Sequence, residues 1–314
     1  MTITYADVGA ASDRVSGYVR PVTLTPVDPG TFGGADVHLA LEFMQHTGSF
    51  KARGALNFTA HHLRAGTMPE AGVVIASGGN AGLACAWAAA RHDVPATVFV
   101  PETAPRVKVD KLRKLGADVR QVGSEYAEAL QASQQYAAAT GALQSHAYDH
   151  PLIAAGAGTL MEEIHQALPD LDTVVVAVGG GGLFTGITAA AHEHDVHVVA
   201  VEPENCRALN TAIRAGRVTD VTVDSIAADS LGARRTSEMA LQWARTANAT
   251  SLLVTDDAIH SARRALWDHR RLAVEHGAAT ALAALLSGVH EPADGEQVAV
   301  ILCGANTDPS DLVH

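Results

Sequence analysis

Short apolar runs alternate along the chain with longer alanine-rich stretches whose apolar residues recur at helical spacing. The runs Val37–Leu41, Val73–Ala76, Thr97–Val100, Val119–Val122, Thr173–Val178, Val198–Val201, Leu252–Thr255 and Val298–Leu302 read as strands, each bounded by Gly, Pro or charge. VVVAV and VAVIL are apolar at every position, the form of strands buried on both faces. Between the strands, helical spacing predicts a helix after Gly54, others over Asn80–His92, Pro105–Leu115, Glu125–Ala139 and Leu152–Leu168, one opening after Gly182, and one over Asp256–Leu272. Pro105 suits a first helical position, Asp256 or Asp257 an N-cap, and Gly116 the residue that closes KLRKLG. Alternating strands and helices of this kind predict the α/β class with a largely parallel sheet. The strands within 73–122 form a βαβαβ set of their own. Residues 72–146 are therefore expected as a smaller domain inserted into a larger one made of 1–71 and 147–314, with the cleft between them as the site.

Composition narrows the function. The 314 residues are 47 % hydrophobic and only 4 % aromatic, so the core must be aliphatic, and 18 % charged, which is ordinary for a globular chain. A net charge of −12 gives no electrostatic footprint for nucleic acid or for an anionic membrane. Neither a signal-peptide core nor an apolar run of about 18 residues is found. Cys85, Cys206 and Cys303 are widely spaced and odd in number, which suggests neither disulfides nor structural zinc. The expectation is a soluble cytoplasmic protein.

Four segments carry candidate chemistry. In TGSFKARGALN, Lys51 follows small residues and opens a helix; it reads either as a solvated charge or as an amine that forms a Schiff base with a carbonyl cofactor. SGGNAG, residues 77–82, ends a strand and opens a helix, so it is either a tight turn capped by Ser77 or Asn80 or a cradle for a carboxylate. Gly179, Gly180, Gly181 and Gly182 stand between a buried strand and a helix, where their N–H groups and the helix dipole suit a phosphate. No Gly-Lys-Ser/Thr follows, and the spacing of a dinucleotide fingerprint is missing. In LCGAN, Cys303 is a small buried hydrophobe or a ligand-facing thiol at the end of a parallel strand.

In this order, GSFKARGALN, SGGNAG, GGGGL and LCGAN resemble the serine/threonine dehydratase family of fold-type II pyridoxal-phosphate enzymes, and TAPRVKVDKLRKLGADV, DHPLIAAGAGTLMEEI and VEHGAATALAAL match as well. The resemblance spans nearly the whole chain. It implies a tryptophan synthase β-like fold of two open-sheet α/β domains with pyridoxal 5'-phosphate in the cleft, a small amino-acid substrate, and a homodimer. It makes Lys51 the Schiff-base lysine and the base for the α-proton, with Phe50 on one face of the cofactor ring and Gly232 on the other. Asn80 would bond the ring hydroxyl. Ser77, Gly79 and Asn80 would hold the substrate carboxylate, and the N–H groups of Gly179 to Gly182 and Leu183 the phosphate. Glu275 would stand near the ring and Cys303 beside the pyridine nitrogen. A neutral thiol there cannot hold that nitrogen protonated, which favours loss of a β-leaving group over transamination. The implied reaction is α,β-elimination from L-serine or L-threonine to a 2-oxo acid and ammonia.

Departures from the family pattern refine this. Ala81 after the loop asparagine and Cys303 point to the serine dehydratase branch, while Gly78 stands where serine racemases carry a second serine. Glu202 matches the first ligand of a divalent-cation site in some relatives, but Ala208 replaces the aspartate that completes it, so no metal is expected beyond a monovalent ion at Glu202. His192, His194 and His197 span a helix end and a strand start and read as a solvated surface rather than a metal site. A 3-hydroxyaspartate dehydratase would need a cationic partner, for which Arg53 and Arg106 are the residues to locate. β-Replacement and racemisation are rival reactions on the same scaffold, and a non-catalytic nucleotide-binding protein is the rival from a different class.

Overall fold

The computed structural model describes residues 2–312. Its first half runs α1 (Tyr5–Val15), β1 (Leu24–Pro26), β2 (Asp36–Ala40), α2 (Lys51–Arg64), β3 (Val73–Ala76), α3 (Asn80–Ala90), β4 (Ala96–Val100), α4 (Arg106–Lys114), β5 (Asp118–Gln121), α5 (Tyr126–Thr140) and β6 (Leu143–Gln144). The second half runs α6 (Pro151–Ala167), β7 (Thr173–Ala177), α7 (Gly182–Ala191), β8 (His197–Pro203), α8 (Ala208–Ala215), α9 (Ala228–Leu231), α10 (Glu238–Thr246), β9 (Ala249–Val254), α11 (Asp256–Arg270), α12 (His276–Leu286) and β10 (Gln297–Ile301).

These strands form two sheets, ordered β1-β2-β10-β7-β8-β9 and β5-β4-β3-β6. Only β1 runs antiparallel to its neighbour; the other pairings are parallel. The larger sheet joins the two ends of the chain, because Val298 of β10 stands opposite Val37 of β2 on one side and Thr173 of β7 on the other. The smaller sheet is built from the intervening residues, with β3 and β4 at its centre. β7 is buried at every position, as its unbroken apolar run predicts, and β10 at all but its first.

Helix ends follow local chemistry, with three corrections. Thr255, not Asp256 or Asp257, caps α11: its side chain accepts from the Ala258 N–H, and both aspartates fall in the first turn, where they meet the helix dipole. Helix α2 starts at Lys51 and runs through Gly54 instead of opening after it. That glycine is required by packing, because a Cβ there would lie 2.6 Å from the Ile153 carbonyl of α6. Pro105 is the N-cap of α4, with extended ψ, one residue before the first helical position expected for it, while Gly116, at φ +84°, follows the helix's C-cap as expected.

Candidate active site

A cleft of about 770 Å³ opens at the carboxyl ends of β3, β7 and β10, the edge where open parallel sheets bind ligands. Lys51, Phe50, Ser77, Gly79, Asn80, Gly179, Gly180, Gly181, Gly182, Leu183, Gly232, Glu275 and Cys303 all line it. Residues far apart in sequence are thus brought together on loops held by two rigid sheets.

Lys51 is the first residue of α2, and its Nζ donates to the Ala147 carbonyl at 2.7 Å and stands 4.6 Å from the centre of the Phe50 ring. Burial lowers its pKa to about 8, against the pull of Cys303 and Glu275 in the other direction. At neutral pH, roughly a tenth of such an amine is unprotonated, far more than for an ordinary lysine. The backbone fixes its place: Phe50 N donates to the Cys303 carbonyl at 3.0 Å, and Ser49 forms an antiparallel bridge with Gly304. Burial pushes the Cys303 thiol up to about 12, with Glu275 adding to the rise, so it stays a neutral thiol.

Two residues beyond Lys51, the side chain of Arg53 is fully buried and turns away from the cleft. It meets Glu42 Oε1 through Nε at 2.7 Å and Glu163 Oε1 through Nη1 at 2.6 Å. These bonds anchor α2 from below, and removal of one partner would strand a buried charge. Arg106 is 93 % exposed and pairs with Asp110 on its own helix. Neither arginine is available as the cationic partner of an acidic substrate.

The glycine loop ends β7 and opens α7. No acceptor among the described residues pairs with the N–H groups of Gly179, Gly180, Gly181, Gly182 or Leu183, a run of free donors at a helix N-terminus that suits a phosphate dianion. Tyr148 lies under the loop, its hydroxyl donating to the Arg235 carbonyl at 3.1 Å, and a Cβ on Gly180 would come within 2.4 Å of its ring. Donors and lysine together fit a phosphorylated aldehyde cofactor. Tyr148 is a residue that sequence reasoning misses; it lies immediately before the matching DHPLIAAG segment, and no glycine signal marks it.

Opposite, SGGNAG joins β3 to α3, with Gly79 as the N-cap. Ser77 Oγ faces the Gly79 N–H at 3.4 Å. Asn80 Nδ2 donates to Glu275 at 2.8 and 3.1 Å, and its Oδ1 accepts from Asn306 at 2.7 Å. Burial raises the Glu275 pKa against the lowering effect of the Asn80 and Asn306 bonds. Gly232 lines the cleft at the end of α9, where a Cβ would lie 2.3 Å from the Ala228 carbonyl.

Glu202 lies outside the cleft. It is fully buried and accepts the Leu209 and Asn210 N–H groups at 2.8 and 2.7 Å, fastening the start of α8. Burial raises its pKa to about 8. No group of three or more His, Cys, Asp or Glu among the described residues could hold a metal ion. The three histidines diverge: His194 stacks on His165 and bonds Glu162, His197 bonds Thr250, and His192 meets the Trp243 ring. No helix among the described residues is long and apolar enough to cross a membrane.

Comparison with known proteins agrees with this geometry. Residues 15–304 match the family model described as pyridoxal-phosphate dependent enzyme. The chain is 34 % identical over 277 residues to an L-threonine ammonia-lyase of Thermotoga maritima, covering 88 % of this chain and 68 % of that one. It is 35 % identical over 285 residues to a serine dehydratase-like protein of Mus musculus, covering 87 % and 86 %. Among solved structures, maize serine racemase superposes with a TM-score of 0.92 at 26 % identity, over 99 % of this chain and 96 % of the other. With a buried lysine and a phosphate cradle in one cleft, and these likenesses along nearly its whole length, the chain belongs to the serine/threonine dehydratase family of pyridoxal-phosphate dependent enzymes.

Proposed function

We propose that this protein is a pyridoxal-phosphate dependent ammonia-lyase that converts L-serine or L-threonine to a 2-oxo acid and ammonia. The observation that carries the reading is the buried Lys51 amine, with its pKa near 8, in one cleft with the free N–H groups of the glycine loop.

The N–H groups of Gly179 to Leu183 would hold the cofactor phosphate, Phe50 and Gly232 would bracket its ring, Asn80 would bond the ring hydroxyl, and Glu275 would stand near the ring. When bound, the cofactor supplies an electron-withdrawing ring that acidifies the α-hydrogen of an attached amino acid. Ser77, Gly79 and Asn80 orient the substrate carboxylate. Lys51 Nζ in its neutral form would take the α-proton, and its low pKa keeps a useful fraction in the base form. The neutral Cys303 thiol would not fix positive charge on the pyridine nitrogen, which would favour prompt departure of the β-hydroxyl, leaving as water with one proton, the equivalent of the α-proton taken up by Lys51. The free enamine then tautomerises and takes up water, giving the 2-oxo acid and ammonia, so the net reaction neither consumes nor yields water. Gly78 offers no hydroxyl as a second base on the opposite face, which argues against racemisation.

We take residues 72–146 as a smaller domain inserted between 1–71 and 147–314, and the working form as a cytoplasmic homodimer. The three cysteines are free and buried, which suits a reducing compartment. The test is purification with pyridoxal phosphate and a panel of L- and D-serine, L- and D-threonine and 3-hydroxyaspartate isomers, followed by ammonia and 2-oxo acid release beside Lys51→Ala. Release from L-serine or L-threonine by the unaltered enzyme alone supports the reading. A yellow protein that changes spectrum with amino acid yet releases no 2-oxo acid would sink it and favour β-replacement, tested with added thiols.

A further inference from the structure

Asn306 lies three residues beyond Cys303, where the chain leaves β10. Its Nδ2 donates to the Thr47 carbonyl at 2.6 Å and to Asn80 Oδ1 at 2.7 Å, and its backbone N–H donates to Glu275 Oε1 at 2.8 Å. Asn80 returns to the same carboxylate through Nδ2. Its amide therefore has one orientation, because reversal would set Asn80 oxygen against the Glu275 carboxylate and Asn80 N–H against Asn306 N–H. Both oxygens of the carboxylate accept from the Asn80 NH2 group, at 2.8 and 3.1 Å, so the Asn80 amide is held from both ends at the wall of the cleft.

The same side chain holds the turn that leads into Lys51. Thr47 has φ +62°, a left-handed conformation that a β-branched residue adopts only when its surroundings enforce it. Gly48 follows at φ +76°, and a Cβ there would lie 3.2 Å from the Asn306 amide. Ala305 N donates to the Gly48 carbonyl at 2.9 Å, so both positive-φ residues are tied to the segment around Asn306. One residue thus touches the lysine turn, the Asn80 loop of the smaller sheet and Glu275 at the start of α12.

We infer that Asn306 is a positioning residue that fixes the orientation of the Asn80 amide and the strained turn entering Lys51, so that this amide and the lysine amine are presented together to the pyridoxal ring. The inference rests on the proposed role of the cleft as a pyridoxal-phosphate site.

Asn306→Asp is nearly the same size, loses both side-chain donors and sets an acceptor against Asn80 Oδ1. Titration of pyridoxal phosphate into the apoprotein is expected to give a dissociation constant at least tenfold higher than for the unaltered protein, with a shifted absorption maximum of the bound cofactor. Acidification should move that maximum back in Asn306→Asp, because a protonated carboxyl can donate to Asn80 again, but not in Asn306→Ala. The charged or titratable groups around this point are Glu275 at the start of α12, Lys51 on α2, Cys303 after β10, Asp229 on α9, and Arg263 on α11, which bonds Thr307 and Asp308 just beyond Asn306, and all are retained in both variants. An unchanged maximum with affinity within twofold would overturn the inference, and so would a change shared equally by both variants at every pH, which is the mark of a merely structural role. If Asn306→Asp does not fold, Asn306→Ser, with one donor for two acceptors, is judged by the same spectrum and affinity. A failure of the unaltered enzyme to release 2-oxo acid would count against the proposed reaction alone, since the spectral comparison does not depend on turnover.

Discussion

Two glycine-rich turns face each other across the cleft, and they need glycine for different reasons. In the turn after β7 the protein itself excludes side chains: a Cβ would come within 2.4 Å of the Tyr148 ring at Gly180, 2.5 Å of Ala240 Cβ at Gly181 and 2.8 Å of the Tyr148 carbonyl at Gly182. Gly181 also has φ +95°, a conformation open to few other residues. In the turn after β3, nothing lies within 4 Å of a Cβ on Gly79, which stands at the open cleft. The run of four glycines is the louder signal in sequence, yet internal crowding accounts for much of it. Gly79, unlike Gly82 of the same segment, whose Cβ would lie 1.9 Å from the Ser77 carbonyl, has no internal reason to be glycine, and is the sharper sign of a ligand that must come close.

The largest effects should separate the two turns. Gly180→Ala is expected to lower the apoprotein's stability by about 1–3 kcal/mol, as overpacking does, and to weaken cofactor binding with it. In a Tyr148→Ala background most of that loss should vanish, because the ring it collides with is gone. Gly79→Ala should leave apoprotein stability within about 0.5 kcal/mol and still raise KM for the amino acid at least tenfold. Denaturant unfolding of the apoproteins beside steady-state kinetics decides it. If Gly79→Ala unfolds the protein while Gly180→Ala is harmless, the contrast between the turns is wrong.

The same contrast explains which features are legible in the sequence. Buried parallel strands are unmistakable as unbroken apolar runs: Val73–Ala76 is observed as predicted, and the other predicted strands differ only at their ends. Helix α12 escapes the helical pattern because every residue from Gly277 to Leu285 is buried, so it shows no polar face. The edge strands β1 and β6, three and two residues long, carry too little pattern to stand out. Within the site, residues with distinctive chemistry or backbone freedom are legible. Tyr148 and Asn306 are not, since they act by supporting a neighbour that sequence spacing cannot reveal.

Lys51 lies between the two turns and allows a test independent of both. With its pKa depressed to about 8 by burial, the rate at which apoprotein takes up pyridoxal phosphate should rise with pH and level off near 8. Below that point it should fall about tenfold per pH unit, because only the neutral amine attacks the aldehyde. An ordinary lysine would continue the rise towards pH 10. In Gly180→Ala the affinity at the plateau should drop while the midpoint stays put, since the glycine turn is the proposed phosphate cradle and the amine lies on a separate element, α2. Stopped-flow absorbance across pH 6–10 measures both quantities, and a midpoint near 10 would remove the basis for Lys51 as a ready base.

The smallest expected effect concerns the one ion pair that links the two sides of the cleft mouth among its lining residues. Lys108 on α4 meets Asp229 on α9 at 2.8 Å, joining a helix of the smaller sheet to the segment that leads into Gly232. Both side chains are exposed enough that the pair should contribute only about 0.2–1 kcal/mol, too little to decide whether the protein folds. It is nevertheless well situated to hold the Gly79 turn over a substrate bound on the opposite wall. Lys108→Gln should therefore raise KM two- to fivefold with kcat nearly unchanged, and the exchange Lys108→Asp with Asp229→Lys should restore it. High salt should bring the unaltered enzyme towards the variant by screening the pair. If the exchanged double variant is no better than either single one, the contact is incidental, and closure of the cleft rests on the turns alone.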